Sequence, residues 1–100
     1  MQTELVHIGF GNVLAINRVV ALVSPNAAPT KRLVQERKNE GMIIDMTSGR
    51  RTKAVLVMDT GHVVLAAIAP ETIAGRVTAR RAEVLRGEPG GRGAWDDEPQ

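Results

Sequence analysis

Three cations in four positions, Arg50, Arg51 and Lys53, stand directly before an apolar run in SGRRTKAVLVM (48–58). A strand start is a rigid mount, so charge there is either solvated rim or a contact surface. Repulsion among clustered cations is relieved when an anion binds. An arginine fork matches phosphate oxygens and can also read guanine in a major groove. Arg18 is a second oddity, a guanidinium inside VLAINRVVALV (13–23). It must snorkel, pair or face a partner, and Glu4, Asp45 and Asp59 are carboxylates that could take it. Lys31 and Arg32 open the first expected helix, where cations oppose the helix dipole. Arg76, Arg80 and Arg81 give the second expected helix a basic side.

Catalytic chemistry has little to work with. The histidines are His7 and His62, and there is no cysteine. That excludes disulfides and thiolate metal sites and gives no zinc constellation. Asp59 and His62 share the stretch DTGH, which reads as a polar hairpin turn. Ser24 and Ser48 sit in turns with no base marked by sequence. GFGN (9–12) is a fragment of a dinucleotide loop, without a full GxGxxG and without a following helix. The expectation is a protein that is not an enzyme and holds no cofactor or metal.

The formal charge of +2 hides an asymmetry. Residues 1–86 carry 12 basic and 7 acidic side chains, whereas 87–100 carry 1 basic and 4 acidic. A basic folded part favours anionic partners, chiefly phosphate. Phe10 and Trp95 are the whole aromatic complement of the 100 residues. Single strands are usually held by stacking bases on rings, so duplex backbone is the more natural partner. No run approaches the roughly 18 apolar residues of a membrane helix, and MQTELVHIGF lacks the form of a secretory signal. A cytoplasmic protein without membrane contact is expected.

The elements that must hold these residues follow from pattern. LVHIGF (5–10) reads as a strand with Val6, Ile8 and Phe10 on one face, and GFGN as a turn. The interruption at Asn17 and Arg18 suggests a bulge or two strands meeting at a bend. SPNAAP leads into a first helix over 31–40, which Asn26 could cap with Pro29 in its first turn, and which Gly41 stops. Strands are expected over 42–46, 52–59 and 62–69, the last two joined by a hairpin at DTGH. A second helix spans 70–86, with Pro70 in its first position and Ile73, Val77 and Val84 near one stripe. This is an α+β, β-rich sheet domain over 1–86 with two helices, followed by an acidic Pro/Gly-rich tail, 87–100, expected to be disordered. Several strands are apolar on both faces, and the first helix is too charged to cover much sheet, so self-association is expected.

The stretches HIGFGN, AINRVVALVSPNAAPTKR, GMIIDMTSGRRTKAVLVMD and HVVLAAIAPETIAGR resemble, in order and spacing, the RemA family of bacterial extracellular-matrix regulators, a DUF370-type domain, over about residues 5–80. The resemblance implies a sequence-tolerant double-stranded DNA-binding transcriptional regulator without a helix-turn-helix, active in matrix (biofilm) control and nucleoid-associated when bound. It implies a fold related to the LytTR DNA-binding domain and assembly into a closed homo-oligomeric ring, an octamer, that wraps DNA. It also implies that Arg18, Arg50 and Arg51 contact DNA, that Lys53 adds to them, and that Pro29 supports fold or assembly. The alternative is a ring-forming RNA-binding or structural assembly protein, in which the arginines pair across subunit interfaces.

Overall fold

The first strand pair is a tight hairpin. β1 (Leu5–Gly9) pairs antiparallel with β2 (Asn12–Ala15), and Phe10 and Gly11 form the two-residue loop. Both loop residues have positive φ, 56° and 82°, the pattern of the type I′ turn that suits strand twist. Gly9 is required twice over. Its φ is 103°, and a Cβ there would lie 2.9 Å from Ile68 Cγ2. The computed structural model describes residues 4–86. The expectation for 87–100, and those for the side chains of Arg81 and Val84, lie outside the described residues.

After β2 the chain makes one 3₁₀ turn, Ile16–Arg18, and enters β3 (Val19–Val23). The polar interruption is therefore a bend between two strands, and these belong to different sheets. β3 is the edge of a four-stranded sheet with the order β3-β5-β6-β4, where β4 is Ile43–Met46, β5 Ala54–Met58 and β6 Val63–Ala66. β5 is antiparallel to both β3 and β6, and β4 is parallel to β6. The expected β5–β6 hairpin is present, although both strands are shorter than the sequence suggests.

Register sorts the sheet into two faces. Ala54, Leu56, Val64 and Ala66 lie on the face that meets Val6, Ile8, Leu14 and Ile16 of the hairpin region. Helix α2 (Pro70–Arg86) completes this core with Ile73, and Val77 packs beside it. Pro70 is the first residue of α2, as its fixed φ and absent N–H allow. Val55 and Val63 are buried on the opposite face, where α1 (Ala28–Asn39) lies. A groove of about 250 Å³ remains there between Val34 and Lys38 of α1 and Val55 and Leu65 of the sheet.

Helix α1 departs from the sequence reading at its start. It begins at Ala28, not Lys31, with Ala27 as a cap that makes no side-chain hydrogen bond. Asn26 does not cap it; its backbone N–H donates to Ser24 Oγ instead. Pro29 occupies the first turn, where a missing N–H is harmless. Lys31 and Arg32 are thus inside the helix rather than at its opening, so the dipole argument against them lapses. The end matches expectation: Gly41, at φ 73°, lets its N–H reach Lys38 O while the Met42 N–H reaches Arg37 O, a Schellman closure.

Candidate nucleic-acid interface

The sheet order determines where the cations go. β4 must reach β5 past the end of β6, and the connection that does so is residues 47–53. Arg50, Arg51 and Lys53 are therefore not in the strand itself. They belong to a segment crossing one end of the sheet, held there by the Lys53 N–H donating to Ala66 O at 2.8 Å. The connection opens with a second left-handed turn. Ser48 and Gly49 have φ of 55° and 80°, and the Arg50 N–H closes it on Thr47 O at 3.0 Å. Asp45 braces the turn from below. Its Oδ1 accepts from the buried Thr47 hydroxyl at 2.6 Å and from the Thr47 N–H at 2.9 Å. The side-chain hydrogen bond first, and the backbone one second, hold the Asp45 carboxyl below its ordinary pKa.

The two left-handed turns meet. Asn12 Nδ2 donates to Gly9 O within the hairpin and to Met46 O at the end of β4, both at 3.1 Å. The Arg50 guanidinium lies 3.8 Å from the centroid of the Phe10 ring, within cation–π range. Phe10 is an unusual occupant of its position. A left-handed φ on a non-glycine residue costs roughly 1–2 kcal/mol, and Asn, Asp or Gly is the usual choice. The ring is also 46% exposed. Its contact with Arg50 gives this strained, exposed aromatic a use. Sequence pattern does not single out Phe10 for the site; the available signal is one of two aromatics standing in a glycine turn.

Arg51 and Lys53 turn to a neighbouring groove of about 240 Å³ that also includes Pro25, Asn26 and Pro70. The RRTK stretch therefore does not project as one row: Arg50 lies on the hairpin tip, whereas Arg51 and Lys53 line a groove beside it. No carboxylate among the described residues pairs with any of the three.

Arg18 is elsewhere. It ends the 3₁₀ turn before β3, where its Nε donates to Asp59 Oδ2 at 2.6 Å and its carbonyl accepts from the Asp59 N–H at 2.8 Å. Of the three carboxylates available, Asp59 is thus the one that takes it. This hydrogen bond, more than the charge attraction, raises the Arg18 pKa, and it holds Asp59 below the usual carboxylate value. Both side chains stay open to solvent, at 51% and 42% exposure. Arg51 and Asp59 bracket β5, so at ~3.3 Å per residue the two basic ends lie about 25 Å apart along the strand. Pro29 is exposed in the first turn of α1, between Asn26, which lines the Arg51 and Lys53 groove, and Lys31, which lines the groove under α1. His62 is bound to Thr60 Oγ1 at 2.7 Å in the β5–β6 turn, as a hairpin residue. No cluster of three metal-ligating side chains occurs among the described residues, and none of their helices is long and apolar enough to cross a membrane.

Comparison with known proteins bears on what such a surface serves. Residues 5–77 match the model of the RemA-like family, described as extracellular matrix regulatory protein A-like. The chain belongs to the RemA-like family. A candidate regulatory protein of Dehalococcoides mccartyi strain BAV1 is 57% identical over 88 residues, covering 88% of this chain and 92% of that one. Similarly named proteins of Thermoanaerobacter sp. X514 and Symbiobacterium thermophilum are each 52% identical. They cover 85% and 87% of this chain and 88% and 92% of their own. The RemA-like resemblance drawn from the quoted motifs is therefore correct, and the family is one of regulatory proteins.

Proposed function

We propose that this RemA-like protein is a sequence-tolerant duplex-DNA-binding regulator whose principal contact surface is the β4–β5 connection. The observation that carries this reading is Arg50, held over the Phe10 ring and unpaired by any described carboxylate, with Arg51 and Lys53 beside it. A guanidinium held by a ring is oriented but not neutralised, the state suited to a phosphate oxygen. Arg18 supplies a second, weaker contact from the far end of β5.

Homo-oligomerisation into a closed ring, an octamer, multiplies this surface. Its support is apolar exposure on edge strands: Val20 of β3 is 66% exposed and Ile44 of β4 is 40% exposed. Repeated patches raise effective concentration and favour DNA that bends to follow the rim, so sites are read through backbone position and deformability. The family resemblance, not the geometry, extends the proposal to matrix-gene control, and association with the nucleoid is what DNA binding would bring.

The test is fluorescence anisotropy with duplex DNA over a salt series, wild type beside Arg50→Ala/Arg51→Ala, with light scattering of both. The expected result is a steep negative salt slope for wild type. Removing two phosphate contacts per copy should make it shallower by ~2 for each copy engaged, with the oligomer unchanged. Equal binding by both proteins would overturn the reading. So would loss of the oligomer in the variant, which would make these arginines assembly contacts.

A further inference from the structure

A second basic surface lies away from the β4–β5 connection. It is a groove of about 490 Å³ between β1 and α2, lined by Leu5, Val6, His7, Arg76, Ala79 and Arg80. Arg76 fixes its geometry by donating from Nη1 to His7 O at 2.8 Å, which leaves further guanidinium donors for another partner. Leu5 is 53% exposed on the groove wall, an apolar side chain left open beside two arginines. Apolar wall and paired cations together suit a short segment carrying one large apolar side chain and adjacent carboxylates.

The chain itself contains such a segment. Beyond Arg86, where α2 ends, come 14 residues, among them AWDDE (94–98) with the molecule's single tryptophan followed by Asp96, Asp97 and Glu98. The reach is sufficient. Arg80 stands six residues before the end of α2, or ~9 Å along the axis, and Arg76 ~15 Å. Eight residues lie between Arg86 and Trp95, and the nine Cα-to-Cα steps can span up to ~30 Å. The intervening GEPGGRGA is rich in glycine with one proline, a composition that permits the chain to reverse along the helix.

We propose that Trp95 and the carboxylates of residues 96–98 dock into the β1–α2 groove. The indole covers Leu5 and Ala79, and the carboxylates meet Arg76 and Arg80. Charge and reach agree, and an indole over a guanidinium gains cation–π attraction as well. The consequence concerns where nucleic acid binds. Docking sets three carboxylates on the basic side of α2, so the β4–β5 connection remains the uncompensated positive surface. Docking of the tail does not depend on DNA binding.

Trp95 reports on its own location. In the full chain without nucleic acid, its emission should be blue-shifted from that of a tryptophan in water, with low quenching by acrylamide. Asp96→Asn/Asp97→Asn/Glu98→Gln, altered outside the described fold, should shift emission to the red and raise quenching several-fold. Arg76→Gln/Arg80→Gln should do the same. A solvent-like Trp95 in the wild type would overturn the proposal. So would a shielded Trp95 indifferent to the carboxylate variant, which would place the indole elsewhere.

Discussion

At the end of β5, Arg18 meets Asp59 at 2.6 Å; at its start, Arg50 lies 3.8 Å over the Phe10 ring. Both side chains are held, by opposite means. A carboxylate fixes a guanidinium by cancelling its charge, so an incoming phosphate must compete with it. A ring fixes the guanidinium through a quadrupole and leaves its charge available. Among the described residues Arg50 spends only one donor, a long Nη1 contact to Ser48 O at 3.5 Å. On the proposed reading the two arginines are therefore unequal anion sites, and the inequality is set by the partner each fold element supplies. At one end that partner comes from the β5–β6 turn. At the other it comes from a hairpin belonging to a separate sheet.

The largest test of this contrast replaces each arginine singly. Arg50→Ala should weaken duplex binding about tenfold and flatten the salt slope by ~1 for each engaged copy, while Arg18→Ala should cost less on both counts. Equal losses in anisotropy would break the comparison. A smaller effect isolates the ring. Phe10→Asn converts the loop to Asn-Gly, the favoured type I′ pair, and removes the Arg50 platform. Binding should fall only about two- to fivefold, the size of an exposed cation–π contact of ~0.5–1 kcal/mol. Thermal stability should hold or rise, because asparagine accepts a left-handed φ more readily than phenylalanine. A loss of both together would mean that the ring serves packing instead.

Much of this architecture is legible in the sequence, because local rules dominate it. Hairpin turns, the glycine stop after α1, Pro70 at the head of α2, and Arg18 with Asp59 among its possible partners all follow from short-range pattern. The misreadings share a cause in tertiary placement. RRTK reads as the mouth of a strand because sequence order puts it there. Only the order β3-β5-β6-β4 shows that the segment crosses the end of β6, splitting Arg50 from Arg51 and Lys53. Phe10 reads by pattern as a strand residue on the Val6 and Ile8 face. Instead β1 ends at Gly9, and Phe10 is an exposed loop residue whose meaning depends on residue 50 arriving from another sheet. The start of α1 is misplaced by pattern because Ala27, Ala28 and Pro29 carry no side-chain cap to mark it.

Freeing Arg18 sharpens the comparison from the other side. Asp59→Asn removes the competing charge, so duplex binding should tighten modestly, toward what an unpaired arginine gives, with little change in stability for so exposed a pair. The pairing itself can be read by titration. Asp59 has its folded pKa depressed below the ordinary 3.8, chiefly by the Arg18 hydrogen bond. A depressed carboxyl contributes stability that is complete above its unfolded value and disappears as pH falls through the lower folded one. Carbon NMR of the Asp59 carboxyl should therefore show a midpoint below 3.8 in the wild type. Arg18→Gln should return that midpoint upward, and Arg50→Gln should leave it alone, since Arg50 holds no carboxylate. A midpoint insensitive to Arg18 would mean that the pair does not neutralise the guanidinium in solution, and the two ends of β5 would then be equivalent anion sites.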